Sequence, residues 1–67
     1  MPKTIAELAE MIAKRDSISY EEALAAVRDC ALEMEHAFYL NGNLDVIEDI
    51  LASSLSLEPD YLDLFIF

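Results

Sequence analysis

The chain has 67 residues, 14 of them Asp or Glu and 4 Lys or Arg, giving a formal net charge of −10 with 55% apolar content. That length holds one domain, so residues 1–67 are read as a single helical unit. The shortage of clustered Lys and Arg argues against direct nucleic-acid binding, and apolar runs only a few residues long exclude a membrane span.

Only one glycine and two prolines are present, which predicts helices joined by short turns. Thr4 and Glu7 form a capping box ahead of Ile5, Leu8, Ala9 and Ile12, predicting a first helix over about residues 5–15. Lys14 and Arg15 suit the negative end of its dipole. After the joint Asp16-Ser17-Ile18, Ser19 and Glu22 make a second capping box. Tyr20, Leu24, Val27, Ala31, Met34 and Phe38 then recur at alternating spacings of four and three, the strongest periodic signal in the chain. Asn41-Gly42-Asn43 ends this central helix, with Gly42 suited to a left-handed residue and Asn43 to capping the next helix. Leu44, Ile47, Ile50, Leu51 and Leu55 form the apolar face of a third helix, with Asp45, Glu48 and Asp49 outside it. Pro59 opens a short fourth helix. The expected fold class is therefore all-α, a small three- to four-helix bundle with a long central helix.

Domains of this size lean on disulfides, metals or oligomerisation. Cys30 is the sole cysteine, so no disulfide forms within the chain; it reads as a small buried apolar residue, as suits a reducing cytoplasm. The charged residues Lys3, Glu7, Glu10, Lys14, Arg15 and Asp16 leave no room for a secretory leader over residues 1–20, and cytoplasmic localisation is expected. Glu33 and His36 have the spacing of bundle metal ligands. They lie about 140° and 160° from the line of Tyr20 and Phe38, and are expected in solvent rather than at a metal. Cys30 and His36 are about 120° apart on one helix, too far for a nucleophile and its base. A single glycine excludes a glycine-rich phosphate loop. No catalytic residue, cofactor or metal is expected, and the chain is read as a non-enzyme.

Oligomerisation remains. Leu32 and Tyr39 fall off the main stripe of the central helix, and the sequence finishes in Tyr61-Leu62-Asp63-Leu64-Phe65-Ile66-Phe67, an apolar run where polar residues are usual. These groups exceed what one face buries. A homodimer is expected, with Leu32, Tyr39, Tyr61, Leu62, Leu64, Phe65, Ile66 and Phe67 at its interface. Tyrosine suits such a surface because one end is apolar and the other polar.

Two resemblances bear on function. Residues 50–62, Ile50-Leu51-Ala52-Ser53-Ser54-Leu55-Ser56-Leu57-Glu58-Pro59-Asp60-Tyr61-Leu62, resemble the closing helices of lambda-repressor-like helix-turn-helix domains, a segment that packs rather than reads DNA. The preceding residues have no Gln-led turn and recognition helix, so no base-reading role is carried over. The whole chain resembles small acidic helical proteins of bacterial phages and mobile elements, through Met11-Ile12-Ala13-Lys14-Arg15, Ser19-Tyr20-Glu21-Glu22-Ala23 and Leu57-Glu58-Pro59-Asp60-Tyr61-Leu62. That implies an accessory or regulatory role. The expectation is a non-enzymatic protein-interaction protein acting as a homodimer on an unidentified protein, with the acid excess permitting a basic one and otherwise keeping the apolar chain in solution. Two alternatives stand beside it: an acidic nucleic-acid mimic using the carboxylates of residues 45–63, and a degenerate helix-turn-helix regulator.

Overall fold

The computed structural model describes residues 2–65. Three helices, α1 (Ile5–Asp16), α2 (Tyr20–Asn41) and α3 (Leu44–Leu55), are followed by a 3₁₀ helix at Pro59–Leu64, and the described residues contain no strand. The caps explain the boundaries. Thr4 accepts from the Glu7 N–H at 3.1 Å, while the Glu7 carboxylate reaches back to the Lys3 N–H at 3.2 Å. Ser19 accepts from the Glu22 N–H at 3.1 Å. Asn43 takes the same part at α3, accepting from the Asp45 N–H at 2.8 Å, so each helix starts with a free donor satisfied.

All three α-helices end on a left-handed residue: Ser17 (φ 57), Gly42 (φ 61) and Ser56 (φ 55). In each, the cap N–H returns to a carbonyl of the last turn, on Ala13, Phe38 and Ala52 respectively. At α1 the Ile18 N–H also reaches Ala13 O at 3.0 Å, the outer bond of a Schellman-type stop, and the half-buried Ile18 packs against the core. Two of the three stops therefore use a serine where glycine is the less strained choice.

The 22-residue α2 is the spine. At 1.5 Å per residue it is about 33 Å long, matching the longest dimension of the molecule, 33 Å. Both α1 and α3 pack along it, and the 3₁₀ helix closes on α3. The core takes Leu8, Ala9 and Ile12 from α1, Ala23, Val27, Cys30 and Met34 from α2, and Ile47, Leu51 and Leu55 from α3. Leu57 and Phe65 complete it, and no polar residue is buried among the described residues.

The buried line of α2 differs from the expected one. Ala23, Val27, Cys30 and Met34 centre about 50° away from the line of Tyr20 and Phe38. Small side chains let a neighbouring backbone come close and are covered completely, whereas Leu24, Ala31 and Phe38 sit half-buried at the edge. Tyr20, expected in the core, is 41% exposed. It stands at the first position of α2, where the spine begins. Leu44, placed by its spacing on the apolar face of α3, is 58% exposed because it too occupies a first turn.

Candidate interaction surface

With Ala23, Val27, Cys30 and Met34 facing α1 and α3, the opposite side of α2 has no intrachain cover. Leu32 and Tyr39 point there, 66% and 84% exposed, and Leu40 beside them is 74% exposed. Three large apolar groups on two turns of one helix, surrounded by carboxylates, are an unusual load for a small acidic domain. Their backbone is regular α-helix, so the side chains are held on a rigid support.

Two shallow depressions flank these residues. One lies among Leu32, Glu35, His36 and Tyr39 on α2 itself. The second runs between α2 and α3, with Leu32, Ala37, Leu40 and Ile50 in its walls and Glu33 and His36 at its rim. Glu33 and His36 are both exposed. Glu48 is half-buried, while Asp45, Asp49, Glu58, Asp60 and Asp63 are exposed.

The other proposed interface residues behave differently. Phe65 is 7% exposed and belongs to the core of its own chain, held by its N–H donating to Leu62 O at 2.9 Å. Tyr61, Leu62 and Leu64 are half-buried against that core. The Tyr61 hydroxyl lies 3.8 Å from Met11 Sδ, tying the 3₁₀ helix back to α1. Ile66 and Phe67 lie outside the described residues. Beside Phe65 a groove of about 280 Å³ runs between α1 and α2, walled by Ile5, Val27, Ala31 and Leu64 with Arg28 and Glu35 at its mouth. The structure thus separates Leu32 and Tyr39, which stay outside, from the 61–65 segment, which folds back.

Electrostatics add little chemistry to this surface. Arg15 and Asp16 form an exposed two-bonded ion pair at 2.9 and 3.0 Å; the hydrogen bond holds the Asp16 carboxyl below and the Arg15 guanidinium above their ordinary ranges. Burial pushes the Cys30 thiol up, an effect opposed by the nearby Ser54 hydroxyl and reinforced by Glu33. Such a thiol stays protonated at neutral pH and is a poor nucleophile. Among the described residues no group of three or more His, Cys, Asp or Glu side chains is placed to hold a metal ion, and no helix is long and apolar enough to cross a membrane.

Leu40 belongs to this surface as well, although it was not among the residues expected there. Leu40 was detectable, since it lies about 160° from the line of Tyr20 and Phe38. No protein-family model, curated protein or solved structure matches the chain.

Proposed function

We propose that this is a non-enzymatic protein-interaction protein that works as a homodimer, joined through the outer face of α2. The observation that carries the reading is the exposure of Leu32 and Tyr39 on a helix whose other side is fully packed. Burying two such side chains is worth roughly 1.5–3 kcal/mol each, enough to bias association. The acidic remainder, −10 per chain, favours a basic protein as the dimer's target by charge complementarity.

Leu32→Asp and Tyr39→Asp test this. Each places a carboxylate on an already exposed position, so helicity by circular dichroism stays at the wild-type level. Sedimentation velocity then shows loss of the dimer at micromolar concentration. Dimers that persist in both variants rule out the α2 face.

A further inference from the structure

The outer face of α2 has a periodicity of its own. Ala25, Leu32 and Tyr39 recur every seven residues, a step that rotates by only about 20° on an α-helix. All three are exposed. Their line lies about 170° from the centre of the buried stripe, so α1 and α3 leave it clear along about 21 Å of helix. Arg28 and Glu35 border it on one side, Asp29 and His36 on the other. These four are exposed, and among the described residues none of them forms an ion pair within the chain.

We propose that this seam is self-complementary: the α2 of a second copy lies antiparallel on it, with the two-fold axis passing beside Leu32. The proposal rests on the homodimer reading above and fixes its geometry. In an antiparallel pair the axis is normal to the plane of the two helices, so each flank meets the same flank of the other copy in reversed order. Leu32 then meets Leu32, and Tyr39 lies over Ala25 of the second copy. Arg28 comes level with Glu35 of the second copy, and Asp29 with His36, each pairing occurring twice. No like charges are set opposite one another along the seam. A parallel pair would also match charges, Arg28 with Asp29 and Glu35 with His36. It would, however, stack Tyr39 on Tyr39 and Ala25 on Ala25, crowding one end and leaving a gap at the other, and it would align the helix dipoles unfavourably. Large against small at both ends, with opposite charges between, favours the antiparallel register.

The test uses the full chain. By sedimentation equilibrium, Arg28→Glu and Glu35→Arg should each weaken self-association about tenfold, since each turns two attractive pairs into repulsive ones. The double variant R28E/E35R should return to within about threefold of wild type, because the swapped charges meet again. Leu32→Cys at the axis should form an intermolecular disulfide readily with diamide, whereas Ala25→Cys should not, because its two copies stand about 21 Å apart along the helices. Cross-linking of Ala25→Cys as fast as Leu32→Cys overturns the antiparallel register. Failure of the double variant to recover, while wild type dimerises, overturns the register and leaves the homodimer standing. A wild-type chain that is monomeric at every concentration overturns both.

Discussion

Replacing Phe65 by alanine separates the two uses an apolar terminal segment can have. Phe65 is 7% exposed and packs within its own chain, so its removal deletes core contacts and not a surface anchor. Fully buried Phe→Ala changes cost about 3–5 kcal/mol. Phe65 borders a groove, so the loss belongs at the lower end, about 3 kcal/mol. A chain of this length has a total stability of roughly 3–10 kcal/mol. Its unfolding entropy near the midpoint is about 0.14 kcal/mol per kelvin, so Phe65→Ala should lower the melting temperature by about 20 °C. Far-UV circular dichroism melts of both proteins at low and high concentration are the assay, and the gap between them should be the same at each. A gap below about 5 °C, or one that grows or closes with concentration, would place the ring at an intermolecular contact and refute the reasoning.

Other expectations follow from the helix ends and the cysteine. Ser17→Gly and Ser56→Gly should each stabilise the fold by about 0.5 kcal/mol, as relief of left-handed strain outweighs the added freedom of the unfolded chain. Gly42→Ala should cost about 1 kcal/mol although nothing lies within 4 Å of the added Cβ, because the penalty is in the backbone; urea titrations in which all three changes are neutral would contradict the assignment of these caps. For Cys30 the folded thiol holds its proton more tightly than the unfolded one. As pH rises through the ordinary thiol range the unfolded chain releases its proton first, and stability falls until the folded thiol ionises too. Cys30→Ala should abolish that part of the slope in urea midpoints measured on either side of the thiol range, and an identical slope in the variant would be evidence against burial as the cause.

The parts of this fold legible in the sequence are those governed by short-range chemistry. Thr4 with Glu7, Ser19 with Glu22, Gly42 and Asn43 marked helix ends because each satisfies backbone groups within a few residues. The facing of α2 was less legible. Spacing weights Tyr20 and Phe38 by their size, but helix packing is set by where backbones approach, and Ala23 and Cys30 permit the close approach. Leu32 and Tyr39 were recognisable as off-stripe because even a 50° error in the stripe leaves them outside. Which residue of the apolar end turns inward was not readable, since Leu62, Leu64 and Phe65 are all strongly apolar and only the 3₁₀ turn after Pro59 directs Phe65 into the core. The seam of Ala25, Leu32 and Tyr39 was hidden for a related reason. Ala25 contributes no apolar bulk, and its part shows only once the buried stripe is located on the far side.

Everything proposed for this chain turns on whether it pairs through the outer face of α2. Sedimentation equilibrium of the wild-type protein across the micromolar range measures this directly. The mass should rise with concentration from that of one 7.5 kDa chain to that of two. A folded species that stays at one chain's mass throughout would contradict it.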